Sequence, residues 1–183
     1  MVYKFRVLSD EVEGFRREIE IDADATFLDL NKILLKCCKY KSELMTSFFV
    51  CNDEWEKTLE ITAVDMNDDP KAEPLPLMEK THIIDVISPE AAANKAKLLF
   101  LFDTMCERTL FMQVREVIDH KHLLEPVVTL SEGDAPKQEG DIDALFNGLS
   151  DETSDMYGDD DFDPSELDEE GFQDLEEMES GSF

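Results

Sequence analysis

Charge and glycine both change abruptly near residue 131 of this chain. Beyond that point, residues 132–183 hold 20 Asp and Glu against a single base, Lys137. Residues 1–131 hold 25 acids against 16 bases, and only one of the seven glycines, Gly14. A segment so rich in like charge and so poor in apolar side chains cannot bury enough surface to offset the entropy of ordering. The chain therefore reads as a domain over 1–131 and an acidic, largely disordered tail over 132–183. About 130 residues suffice for one core that removes roughly two-thirds of the unfolded surface from water.

The formal net charge of −28 narrows the partners. Clustered Lys and Arg are needed to neutralise phosphates, so the balance argues against nucleic acid for the full chain. It argues equally against an anionic membrane surface and favours a basic protein partner. No apolar run approaches the roughly 18 residues that span a bilayer. The opening Met1-Val2-Tyr3-Lys4-Phe5-Arg6 alternates and lacks an apolar signal core, which points to the cytoplasm. Cys37, Cys38, Cys51 and Cys106 show no disulfide-scaffold spacing. Oligomeric state is left open.

Hydrophobic periodicity orders the elements. Tyr3, Phe5 and Val7 alternate with Lys4 and Arg6, and Phe15, Arg17, Ile19 and Ile21 share one side of a second strand, so the pair reads as a hairpin. Thr26 and Asp29 make a capping box ahead of Leu30, Ile33, Leu34 and Cys37 at helical spacing. Short strands follow at 47–51 and 57–64, then a proline-rich loop at 66–77. A short helix is expected at 83–87, ending before Pro89, with strands at 98–102 and 109–117. Residues 120–129 are ambiguous. Hairpins with one long helix suggest an α+β fold: a mixed sheet with the helix across one face, β-grasp-like. In the tail, Ile142, Leu145, Phe146 and Leu149 have helical spacing, and Asp163-Pro164-Ser165-Glu166 is a second helix start, with Leu167, Leu175 and Met178 behind it.

Few residues suggest chemistry. Phosphate-cradling loops need several glycines, and the body has one, so no cofactor is expected. No Gly-x-Ser-x-Gly elbow occurs. Cys106, beside Glu107 and Arg108, is the best-placed thiol for activation, although free cysteines are most often buried hydrophobes. His120 and His122 lack the further ligands that zinc requires. Asp159, Asp161, Asp163, Ser165 and Glu170 match an EF-hand frame, but Pro164 stands where the turn needs glycine. Lys32, Lys36 and Lys39, with Arg16 and Arg17 nearby, form the one basic concentration, which is ordinarily a solvated helix face.

Two segments, Ser47-Phe48-Phe49-Val50-Cys51-Asn52-Asp53-Glu54-Trp55 and Lys97-Leu98-Leu99-Phe100-Leu101-Phe102-Asp103, resemble the Ri-plasmid ORF-three-like family, whose members carry an insertion-element passenger label of TnpR type. The opening strand, hairpin and helix over 3–40 match that family in pattern. Phe100, Phe102 and Asp103 match its aromatic-x-aromatic-Asp strand, and Gly133, Ala135 and Pro136 match its closing segment. The resemblance covers roughly residues 1–140 and implies a β-grasp-like α+β fold, with no activity attached. Thr104-Met105-Cys106-Glu107-Arg108-Thr109 replaces the family's Gly-Asp-x-Trp-x-His, so no role passes to those positions.

These readings favour a non-enzymatic interaction module. Trp55, Phe102 and Asp103 are its candidate contacts on the body, and Leu145, Phe146 and Leu175 are apolar anchors in the acidic tail. The alternative is a mobile-element or nucleic-acid-linked factor whose tail masks Lys32, Lys36 and Lys39. An enzyme centred on Asp103, Cys106, Glu107 and Arg108 is the weakest of the three, since nothing identifies a substrate.

Overall fold

The N-terminal alternation resolves into two strands, β1 (Val2–Leu8) and β2 (Arg16–Asp22), in a computed structural model that describes residues 1–64 and 74–140. Phe5 stands opposite Ile19 and Tyr3 opposite Ile21. Tyr3, Phe5, Val7, Ile19 and Ile21 point inward and are fully buried. Lys4, Arg6 and Glu18 alternate outward, where Glu18 lies 2.8 Å from Arg6 and 3.5 Å from Lys4. Apart from Arg17, which is buried in phase with Ile19 and Ile21, the hairpin thus separates apolar and charged residues onto opposite faces, as period-two side chains do.

Helix α1 (Phe27–Cys38) begins at the capping box expected from Thr26 and Asp29. The Asp29 amide donates to Thr26 Oγ1 at 3.2 Å, and the Thr26 amide donates to Asp29 Oδ2 at 3.2 Å. Phe27, Leu30, Leu34, Leu35 and Cys38 form its buried face. The helix stops at Lys39, whose φ of 60° turns the chain left-handed, so that the Tyr40 amide reaches back to the Leu35 carbonyl at 2.8 Å.

Then come β3 (Ser47–Cys51), β4 (Lys57–Thr62), α2 (Ile83–Val86), α3 (Pro89–Ala93), β5 (Lys97–Asp103), β6 (Arg108–Ile118) and β7 (Val127–Glu132). All seven strands form one sheet in the order β4-β3-β5-β6-β1-β2-β7, and every pairing is antiparallel. The expected β-grasp-like mixed sheet with one main helix is therefore incorrect. The fold is a wide antiparallel sheet carrying helices of 12, 4 and 5 residues. Local periodicity marks a strand but says nothing of its neighbour's direction; the pairing of β1 with β6 decides the topology. Phe27, Phe48 and Phe100 join α1 to the inner sheet face, with ring centroids 5.3 and 5.0 Å apart in turn.

Two elements were not anticipated. Ser88 caps α3 by accepting from the Ala91 amide at 3.2 Å, with Pro89 in the first turn, so that proline starts a helix where the sequence reading ended one. Strand β7 starts at Val127, near the end of the ambiguous stretch 120–129, runs on to Glu132 and borders β2. One compact unit spans Met1–Gly140. No helix among the described residues is long and apolar enough to cross a membrane.

Candidate interaction surface

The candidates at the end of β5 prove to be interior. Phe102 is fully buried, with the Tyr40 ring stacked on it at 5.2 Å and the Arg108 guanidinium 5.0 Å from its centroid. Asp103, 8% exposed, is saturated with donors. Its Oδ1 accepts the amides of Met105 at 3.1 Å and Cys106 at 3.2 Å. Its Oδ2 accepts Arg108 Nη1 at 3.3 Å and the Gly140 amide at 3.0 Å. Burial alone would push this carboxyl up, but the Cys106 and Gly140 amides and then Arg108 outweigh it and hold Asp103 below the usual carboxylate range. A carboxylate with four protein donors has little left for a ligand.

Cys106 is not activated. Arg108 is engaged by Glu11 and Asp103, while burial and then the Asp103 charge push the Cys106 thiol up. These contacts hold residues 133–140 against the body as a strap. Arg17 Nη2 donates to the Gly133 carbonyl at 3.0 Å, and the Tyr40 hydroxyl to the Pro136 carbonyl at 2.9 Å. Gln138 pairs with both backbone groups of Lys41, at 2.6 and 2.9 Å. A cleft of about 350 Å³ between Cys38, Tyr40, Lys41, Pro136 and Gln138 opens beside the strap.

The candidate surface lies on the opposite side of the sheet. Phe49 faces Leu99 across β3 and β5, Leu99 faces Phe111 across β5 and β6, and Phe111 faces Leu8 across β6 and β1. One apolar row thus crosses four strands on the face turned away from α1, and none of its members belongs to the main core cluster. Leu8 is 43% exposed, Phe49 and Phe111 are half-buried, and Leu99 is buried at the centre. Trp55, in the β3–β4 turn with φ 66°, meets Phe111 edge-to-face at 5.1 Å. Lys97 lies over the Trp55 ring at 5.2 Å, and Lys57 over Phe49 at 4.2 Å. Around them the hairpin carries Asp53, Glu54, Glu56 and Glu60. Of the three predicted contacts among the described residues, Trp55, Phe102 and Asp103, only Trp55 joins this surface. Phe49, Leu99, Phe111 and Leu8 were missed. The available signal was Phe111, a large aromatic in the outward phase between Thr109 and Gln113.

The basic candidates separate. Lys32 and Lys36 line a groove of about 310 Å³ with Glu125 and Pro126, whereas Lys39 caps the helix and lines the cleft beside the strap. Arg16 pairs with Glu132 at 3.1 Å and Arg17 is buried. His122 Nδ1 lies 3.2 Å from Asp22 Oδ2, and no group of three or more His, Cys, Asp or Glu suited to a metal occurs among the described residues. Leu145, Phe146 and Leu175, together with the tail helices and the EF-hand-like run, lie outside the described residues, as does most of the proline-rich loop.

No family model matches the chain, and no curated protein matches it. Among solved structures it is similar to the crystal structure of a protein of unknown function from Methanosarcina mazei Go1. That match has 20% sequence identity and a TM-score of 0.58, and covers 89% of this chain and 91% of the other. At that identity the likeness concerns the fold alone.

Proposed function

We propose that this protein is a non-enzymatic, cytoplasmic binding module whose outer sheet face receives a basic polypeptide bearing apolar side chains. The observation that carries the reading is the row Phe49–Leu99–Phe111–Leu8 with Trp55 beside it. Antiparallel sheets ordinarily turn a polar face to water, and an apolar row there marks a surface suited to a partner. Charge complements it: Asp53, Glu54, Glu56 and Glu60 border the row, and the whole chain carries −28. The expected tail anchors Leu145, Phe146 and Leu175 belong to the same proposal, as further contacts for that basic partner. The masked nucleic-acid reading has less support, since Lys39 does not share the groove of Lys32 and Lys36.

Trp55 is the single tryptophan, so its fluorescence reports on this face directly. Titration of the full chain with a Lys/Leu peptide should shift its emission, with affinity falling as salt rises. A Glu/Leu peptide of the same length should not bind. Phe49→Ser or Leu8→Ser should weaken the basic peptide about tenfold, the order of one interfacial apolar anchor. Equal binding of the two peptides, or no effect of either substitution, would sink the reading.

A further inference from the structure

The outer sheet face carries two cations that sit on rings rather than on acids. Lys97 Nζ lies 5.2 Å from the centroid of the Trp55 ring and donates to the Asp53 carbonyl oxygen. Lys57 Nζ lies 4.2 Å from the centroid of the Phe49 ring. The β3–β4 hairpin, which carries both rings, also holds the carboxylates of Asp53, Glu54, Glu56 and Glu60. Among the described residues no ion pair joins any of these four carboxylates to a base, and neither lysine is in one. Elsewhere on the same face charges do pair, Glu18 with Lys4 and with Arg6. Around the apolar row, then, cations cover rings while the acids stand open.

An exposed apolar row invites unwanted association. An ammonium laid over a ring shields that ring's face while its charge keeps contact with water. Such a contact is weak at an exposed site and readily exchanged. A cation arriving on another chain makes the same contact, so the exchange at the ring itself is close to neutral. The hairpin's carboxylates tip it, because they hold no base of their own and attract each charge the newcomer brings. An apolar chain without cations gains nothing from them and leaves the lysines in place.

Resting on the reading of this face as the seat of a basic polypeptide, we propose that the ring faces of Trp55 and Phe49 are its cation subsites, held in the free protein by Lys97 and Lys57. Lys or Arg side chains of the partner displace the two resident lysines, which swing into solvent. Lys97 and Lys57 thereby set specificity: they admit a chain that brings both charge and apolar side chains, and they compete with it until it does.

The test follows the Lys97 ε-methylene resonances of the full chain by NMR during titration with the Lys/Leu peptide. In the free protein the Trp55 ring current should hold them upfield of the ordinary lysine position. Binding should return them to that position and move the ε-methylene of a peptide lysine upfield instead. By calorimetry, Lys97→Met should bind the peptide about two- to fivefold more tightly, the scale of one exposed cation–ring contact. Lys57→Met should act likewise through Phe49. Simple relief of charge repulsion would also tighten binding, so the gain from Lys97→Met is measured again in a Trp55→Leu background. Competition for the ring predicts that the gain disappears there. Peptide bound with the Lys97 resonances unmoved, or a gain that persists without Trp55, overturns the subsites and leaves the basic-polypeptide reading standing. Absence of any peptide binding overturns both.

Discussion

Asp103 shows how one side chain fixes a turn and a distant strand of backbone together. Its folded-state carboxyl titrates below the unfolded value of about 3.9, so its stabilisation is complete above that pH and fades as pH falls through it. Asp103→Asn should cost about 1–3 kcal/mol at neutral pH in urea unfolding, and the gap to wild type should narrow below about pH 4. A side chain at Gly140 meets this clamp directly: its Cβ would sit 2.7 Å from Cys106 Sγ and 3.1 Å from Asp103 Oδ2. Gly140→Ala should displace the strap and speed tryptic cleavage after Lys137. A Cys106→Ala background should restore part of the protection. Gly133 is more constrained, with φ 65° and a would-be Cβ 2.5 Å from the Gly14 carbonyl oxygen. Gly133→Ala should therefore destabilise by more than the roughly 1–2 kcal/mol of left-handed strain alone, measured by thermal unfolding.

Among the elements, those defined by short-range chemistry were legible and those defined by neighbours were not. Thr26 and Asp29 announced α1 because a capping box lies within four residues. Thr26→Ala should cost about 1 kcal/mol in chemical denaturation. The second strand was readable even to Arg17 pointing inward, since its phase follows from Phe15, Ile19 and Ile21. Strand β7 was hidden because Val127 to Glu132 forms an edge with weak apolar alternation, and edge strands need only one buried neighbour. Helix α3 is hidden in the sequence because a proline after an apolar run reads as a stop, whereas Ser88 before it makes Pro89 a start. Phe102 and Asp103 were misplaced for a related reason. An aromatic followed by an acid looks the same in sequence whether it faces water or lies under Tyr40, Arg108 and Gly140. Phe48 joins helix to sheet, so Phe48→Ala should cost about 3–5 kcal/mol and loosen α1 first, visible as faster amide exchange across Leu30 to Leu35.

At the scale of the whole folded unit, the seven-stranded order was beyond reach of local pattern. Hairpins β1–β2 and β3–β4 are sequence neighbours, but β1–β6 joins residues more than a hundred positions apart, as Lys4 with Glu116 and Tyr3 with Val117. That long pairing places β1 in the sheet interior, with β2 on one side and β6 on the other. The arrangement also imposes a schedule on birth at the ribosome. At about 5–20 residues per second, β1 emerges roughly 5–20 s before the strand that completes it. Throughout that interval a nascent hairpin with Tyr3, Phe5 and Val7 waits with an open flank, exposed to any other strand nearby. Such distant closure also predicts refolding on the slow side, in milliseconds to seconds, for a chain of this size.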